Sequence, residues 1–521
     1  MALLCQIQLQ WMDYGLIVAY ALLVLAIGFG FSRQQASSTN FLLAGRSMGW
    51  VSVGISQLAS LLSAISYLGT PGEAYGYDLQ YLLFSICGFL CVPLAVYLFL
   101  DFFYRLKVTS IYEYLERRFN FPTRLLASAV FIISRLAWMA TIVVAVSLAI
   151  EELTGIEPAV SIVLTTAVAT AYTLVGGMKA IIWTDVLQFF LFTLGLAAAV
   201  ALIFWKDPAS ELLAVMVRDD KLRMFNFSLD PATRITVWMA VTAGAVNGVA
   251  NLTDQVSMQR YLSCGSLRDA RRAVWFKPFL SIPVTVLIYG LGLALYAHHQ
   301  LNPELAVGVG SADRAFPHFV LNEMHGGLAG LILAAIFAAA MSSIDSGTHT
   351  ISTVCVEDYY KRLIRPDAPD RQCLRLARGL TLIWAVVIAV VAQFLTGQDT
   401  IVGTMASVAA PFFGCAVGMF VLGTSTRRAT GWGASLGALV GYGLVLVTKY
   451  WLFKIDGQWL LLPGGPDIYT AATVEQVSKF WLTFISFAGT VIPGYLISLA
   501  SPPSSRASLR GLTLWDRKGE A

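Results

Sequence analysis

Long apolar stretches separated by short polar or charged connections recur along the whole chain. Each comes close to the roughly 20 mostly apolar residues that a helix needs to cross a bilayer. Such runs occupy 14–31, 48–75, 79–100, 125–150, 158–174, 180–205, 235–254, 274–296, 326–354, 380–395, 401–422, 434–450 and 480–499. The pattern predicts an all-α, polytopic membrane protein with about 13 transmembrane helices. The first run is expected to stay as an anchor, because no positive segment precedes it and Arg33 follows it.

Composition agrees. Of 521 residues 57% are apolar and only 13% charged, against about a quarter charged in a soluble domain, so a large water-soluble unit has no material to be built from. The net charge of +4 is small, and Lys and Arg lie beside apolar runs, so nucleic-acid binding has no support. Seven cysteines stand singly, without metal or disulfide spacing. Charge speaks instead about orientation. With the N-terminus outside, 25 of the 35 Lys and Arg, including Arg46, Arg260 and Lys277, fall in cytoplasmic segments; nine fall outside, and Arg135 lies within a span. The expected location is the plasma (inner) membrane, with the C-terminus cytoplasmic.

Two runs carry helix-breaking features. Gly69-Thr70-Pro71-Gly72 interrupts the second, predicting an unwound segment, and the seventh contains Gly244, Asn247, Gly248 and Asn251, small residues and amides suited to an opened backbone. Counted from the second run, these are the first helices of two five-helix sets, 48–205 and 235–422. The expected organisation is one transmembrane transporter domain, 1–521, with a leading helix 14–31, two trailing helices within 434–499 and a cytoplasmic tail 500–521. Breaks in corresponding helices of two halves point to an inverted-repeat transporter with its site at mid-membrane. The competing reading is that these glycines merely allow close helix packing.

Three stretches, YTLVGGMKAIIWTDVLQ at 172–188, TDQVSMQRY at 253–261 and AAAMSSIDS at 338–346, closely resemble signatures of the sodium:solute symporter family, in the right order. The resemblance extends over about 41–423. It implies a LeuT-like fold, a 5+5 inverted repeat with one helix before the core and two after. It also implies that a sodium gradient drives uptake of a small polar solute: a sugar, amino acid, vitamin, sialic acid, monocarboxylate or inorganic anion.

A sodium ion needs five or six hard oxygen ligands, which hydroxyls and carbonyls freed at a helix break can supply. The resemblance places the sodium site at the Ser342 and Ser343 hydroxyls and the Ala339, Ala59 and Leu62 carbonyls; the bland alternative is that each serine bonds its own preceding turn. Asp185 within a span is costly unless paired or functional. With Asp345 and Ser346 it forms a possible second cation site, although relatives often have Ser at the position of Asp345. An ion pair of Asp185 with Lys179 or Arg260, closing an inner gate, is the competing reading. Solute contacts are expected from Ser63, Ser66, Gly69, Tyr81, Ser85, Asn247 and Asn251, and an outer gate from Phe412 and Phe413. Arg135 either faces the cavity, where its fork suits a carboxylate and favours an organic anion such as a monocarboxylate or sialic acid, or pairs with a group in the bundle. The partners are thus Na+, a small-molecule solute and the lipid bilayer. A sodium/sugar symporter is the alternative. A non-transporting solute sensor is remote, and so is an intramembrane enzyme with Ser342, Ser343, Asp185, Asp345 and His349 as a hydrolytic set, since the chain has no nucleophile-elbow, HExxH or paired metal motif and only five histidines.

Overall fold

A straight helix of 49 residues would reach about 74 Å, more than twice the bilayer core of about 30 Å, yet helical residues run unbroken from Pro158 to Lys206. The chain resolves this at Gly177, whose φ of 56° and ψ of −160° are not helical. The Tyr172 hydroxyl and Gln188 Nε2, sixteen residues apart, come within 3.5 Å, so the chain folds back on itself there. Only glycine fits this corner. Its φ lies in the left-handed region, and a Cβ would stand 2.9 Å from the Phe41 carbonyl oxygen. Gly177→Ala is therefore expected to lower the melting temperature of the detergent-solubilised protein, at a cost of about 1–3 kcal/mol.

The computed structural model describes residues 10–35, 37–395, 400–462, 474–502, 509 and 511–515. Cys5, Arg506, Arg510, Arg517, Lys518 and most of the expected tail lie outside them. The helices used below are α1 (Trp11–Phe31), α2 (Trp50–Ala59), α3 (Thr70–Gly76), α4 (Leu82–Leu90), α5 (Phe121–Thr154), α6 (Pro158–Lys206), α7 (Val237–Ala250) and α8 (Gln255–Tyr261). They continue as α9 (Leu267–Leu301), α10 (Ala315–Glu323), α11 (Leu328–Val354), α12 (Asp370–Gln393), α13 (Ile401–Val408), α14 (Ala410–Ser425), α15 (Gly431–Tyr450) and α16 (Leu482–Leu499). Among the described residues, eight helices are long and apolar enough to cross a membrane, or up to ten if each of two bent pairs is one span. The short apolar helices α2 and α7 each continue through a break into a further helix.

The first break is not where Gly69–Gly72 suggested. It lies at 60–63; Ile65–Gly69 is a π-helical turn, and Thr70–Gly76 is α-helical. Pro71 directly follows that π-helical turn, in which the Thr70 N–H bonds the Ile65 carbonyl five residues back, and the helix carries on through it to Gly76. Gly72 serves contact instead: a Cβ there would meet Asp313 and the Ala312 carbonyl within 3.0 Å. The second break, at 251–254, follows Asn247 and Gly248 as expected.

To the helical fold the connection between α15 and α16 adds a small antiparallel sheet. Its strands, β1 (Leu452–Ile455), β2 (Gln458–Leu461) and β3 (Val474–Gln476), lie in the order β2-β1-β3. Asp456 and Gly457, both at positive φ, make the two-residue turn between β1 and β2.

Ion pairs pin both ends of the bundle. At one end Arg124 bonds Asp358 (2.9 Å) and Glu116 (2.7 Å), and Arg118 reaches the Gly423 carbonyl (3.0 Å). At the other, Glu73 pairs with Arg234, and Glu323 receives Lys206 (2.7 Å) and His298 (2.9 Å).

Candidate functional site

The first break releases carbonyls toward α11. In a continuous helix the Ser63 N–H would bond Ala59, but it turns to Leu61 (3.1 Å), and the Ser66 N–H bonds Ser63 (2.9 Å) rather than Leu62. The freed Ala59 carbonyl faces the Ser342 hydroxyl at 3.1 Å. The Ser342 and Ser343 hydroxyls also donate to the Ala339 carbonyl of their own preceding turn (3.3 and 3.5 Å), as the competing reading expected, and only Ser342 reaches across to Ala59. Two hydroxyls and the Ala59 and Ala339 carbonyls thus converge, with Leu62 at the edge of the neighbouring cavity. Uncharged hard oxygens of this kind suit a monovalent hard cation.

One turn further along α11, the acidic cluster is filled by a cation of the chain itself. Arg260 on α8 is fully buried, which corrects its placement in a cytoplasmic connection. Its guanidinium donates to Asp185 (2.9 Å), to the Ser56 hydroxyl (2.9 Å), to the Val256 carbonyl (3.1 Å) and to Ser346. Asp185 also accepts from Ser56 (2.5 Å). Asp345 turns to the Tyr172 hydroxyl (2.7 Å) and the Ser346 N–H. Lys179 bonds Gln34 (2.7 Å) and takes no part. His349 bonds the Phe41 carbonyl (2.9 Å) rather than Asp345. Gln57 on α2 donates to Ser257 on α8 (2.7 Å), so the first half of one broken segment is tied to the second half of the other by this bond as well as through Asp185.

Between the breaks lies an open cavity of about 310 Å³. Of the residues expected at a solute or an outer gate, Ser66, Tyr81, Ser85, Arg135, Asn247, Asn251 and Phe413 line it; Ser63, Gly69 and Phe412 do not. The Ser63 hydroxyl accepts from the Ile65 N–H (3.2 Å), Gly69 packs on Ile401 and Val402, and Phe412 stacks on Tyr442 with ring centroids 4.5 Å apart. Arg135 reaches the cavity wall already paired with Asp254 on the second break. Its Cζ lies 5.3 to 5.9 Å from the ring centroids of Phe413, Trp138 and Phe131, which hold the fork in place.

Lys277 does not lie in a cytoplasmic connection, where its charge and its place near the end of an apolar run put it. It is 7% exposed, lies inside α9 and lines the cavity, donating to the Asn251 side chain at 2.9 Å. The signal was present: Lys277, Ser281 and Thr285 recur every four residues, a polar stripe on an otherwise apolar helix, and all three face the cavity.

At the end of the bundle that carries Glu73, Asp313 accepts from the Ile401 N–H (2.9 Å) at the start of α13. Burial pushes its carboxyl up to about 6, against the opposing pull of that hydrogen bond. An exposed carboxyl would titrate near 3.8, so the packed arrangement holds the proton more tightly than an opened one. Lowering the pH from 7 to 5 should therefore favour closure here. Spin labels on α13 and on 311–314 should show a growing short-distance population as the pH falls, and no pH response in Asp313→Asn.

Comparison with known proteins places these features in a common frame. The model of the Sodium:solute symporter family matches residues 41–441. A putative sodium-dependent multivitamin transporter of Drosophila melanogaster is 33% identical over 93% of this chain and 84% of its own. Sodium-coupled monocarboxylate transporter 2 of Homo sapiens is 29% identical over 94% of this chain and 83% of its own. The substrate-bound, outward-open structure of a Na+-coupled sialic acid symporter superposes with a TM-score of 0.84 at 26% identity, covering 95% of this chain and 99% of that one.

Proposed function

Since the chain belongs to the sodium:solute symporter family, we propose that its solute is a small organic anion, of the monocarboxylate or sialic acid kind, carried inward with sodium. Access alternates around the cavity between the two helix breaks. The observation that carries the choice of an anion is the charge of the cavity wall: two cations, Arg135 and Lys277, against one carboxylate, Asp254. In a low-dielectric setting one uncompensated positive charge rejects cations and favours an anion over a neutral molecule of the same shape. The relatives whose names specify a monocarboxylate and a sialic acid agree with that sign.

Sodium is bound in this reading by Ala59, Leu62, Ala339, Ser342 and Ser343, next to the solute because Leu62 borders both. The group formed by Asp185, Asp345 and Ser346 is read as a gate closed by Arg260, which occupies the position a second cation would need. The arginine-rich end, with Arg118, Arg124 and Arg362, faces the cytoplasm, and the N-terminus lies outside. Moving a solute requires no nucleophile or acid–base pair, and the chain is read as a transporter without enzymatic activity.

Thermal-shift measurements on the purified protein test the solute class. Monocarboxylates or N-acetylneuraminate should raise the melting temperature, and more in sodium than in choline. A neutral sugar that stabilises the protein in sodium while acids do not would overturn the choice of an anion.

A further inference from the structure

Two cations line the cavity, but their circumstances differ. Arg135 is neutralised by Asp254, and its fork is fixed among three aromatic faces. Lys277 makes no ion pair among the described residues; its one side-chain hydrogen bond goes to a neutral amide, the Asn251 Oδ1. An ammonium carries three donors, so two remain for something else. A cation buried against a single neutral partner is costly, and a carboxylate arriving from the cavity would remove most of that cost. The same face of α9 adds the Ser281 and Thr285 hydroxyls, and the facing wall on α4 is apolar at Phe84 and Phe89.

On the basis of the organic-anion reading above, we infer that Lys277 is the specificity-determining residue that receives the carboxylate of the transported solute, while Arg135 positions Asp254 and the second break. The solute lies with its acid group toward Lys277 and Asn251 and its body toward the aromatic wall. A point charge with rotatable donors accepts carboxylates of different shape, whereas a bidentate fork would demand one approach. Asn251 is the first residue of the break that leads into α8, and α8 carries Arg260. An anion that takes over the Lys277 ammonium therefore acts where the two helical halves meet.

The competing role for Lys277 is a brace for Asn251. The two roles separate in proteoliposomes carrying the full chain under an inward sodium gradient. The probes are radiolabelled lactate, nicotinate and N-acetylneuraminate, each beside a neutral counterpart: lactamide, nicotinamide and N-acetylmannosamine. Wild type should carry at least one acid and discriminate against its counterpart. Lys277→Gln, which can still bond Asn251 but has no charge, should raise KM for that acid about tenfold or more and abolish the preference for the acid. Its sodium dependence should not change. Lys277→Arg should keep the preference, and it supplies the comparison if the glutamine variant does not fold: loss of preference in a folded Lys277→Arg would count against the assignment. An unchanged KM and an unchanged preference in Lys277→Gln would make Lys277 a brace and leave the anion reading standing. A wild type that carries none of the three acids, or carries the neutral counterparts equally well, would remove the anion reading and this assignment together.

Discussion

Arg260→Met should be among the most damaging single substitutions in this protein. It removes the fully buried guanidinium that joins Asp185 on α6, Ser56 on α2 and Ser346 on α11, and it leaves Asp185 and Asp345 without a counter-charge. Stranding one partner of a buried pair costs about 3–5 kcal/mol, so we expect a marked fall in melting temperature and loss of nearly all uptake. Asp185→Asn alone should be milder, and the double variant Arg260→Met with Asp185→Asn should recover part of the stability that Arg260→Met loses, because no unpaired arginine or aspartate remains at the pair. The same variants address the second cation. If the cluster is a gate held by Arg260, Asp185→Asn leaves the number of sodium ions moved per solute unchanged and shifts the population toward the state open on the cytoplasmic side. A drop in that ratio would make Asp185 a sodium ligand and defeat the gate. Wild-type stability and uptake in Arg260→Met would defeat the pairing itself.

Ser342→Ala and Ser343→Ala should each raise the sodium concentration for half-maximal uptake about tenfold, the scale of one lost oxygen ligand of 1–2 kcal/mol. The double variant should lose sodium dependence over the accessible range. Solute binding at saturating sodium should survive in the single variants, because neither hydroxyl lines the cavity. The neighbouring Thr348, whose hydroxyl bonds the Ile344 (2.8 Å) and Asp345 (3.2 Å) carbonyls and stands away from the Ala59 and Ala339 carbonyls, is the control; Thr348→Ala should leave sodium affinity as it is. Equal sodium dependence in wild type and both serine variants would remove the site from Ser342 and Ser343.

What the sequence disclosed and what it hid divide along physical lines. Side-chain chemistry in an apolar run was legible: Ser342, Ser343, Asp185 and Arg135 stood out because lipid does not tolerate them unpaired, and each turned into the bundle. Even the chain reversal at Gly177 was visible as the gap between two runs. The position of the first helix break was not, because 60–63 contains neither Gly nor Pro. It unwinds through local competition, with the Ser60 hydroxyl bonding the Gln57 carbonyl (3.0 Å) and Ser63 capping Ile65, and two serines in an apolar run are a faint signal. The glycines and proline that looked like breakers lie inside a continuous helical stretch, where Gly69 and Gly72 serve close contact. Partners across the bundle were equally hidden. That Arg135 meets Asp254, or that Arg260 fills the space beside Asp185 and Ser346, depends on how five helices converge. Lys277 and Arg260 were misplaced because counting positive charges treats a lysine or arginine near the end of an apolar run as part of a loop, whereas helix periodicity places Lys277 on the same face as Ser281 and Thr285. The Asp-Gly turn of the small sheet was readable in the same local way.

In the mechanism proposed above, a sodium gradient acting through the oxygens at the first break and on α11 drives accumulation of an organic anion. Its most direct test is uptake of radiolabelled lactate and N-acetylneuraminate into proteoliposomes loaded with choline and diluted into sodium. Labelled solute should accumulate transiently above the outside concentration, and a sodium ionophore or the Ser342→Ala, Ser343→Ala double variant should abolish this. Uptake that proceeds equally in choline, or that never exceeds equilibration in sodium, would contradict it.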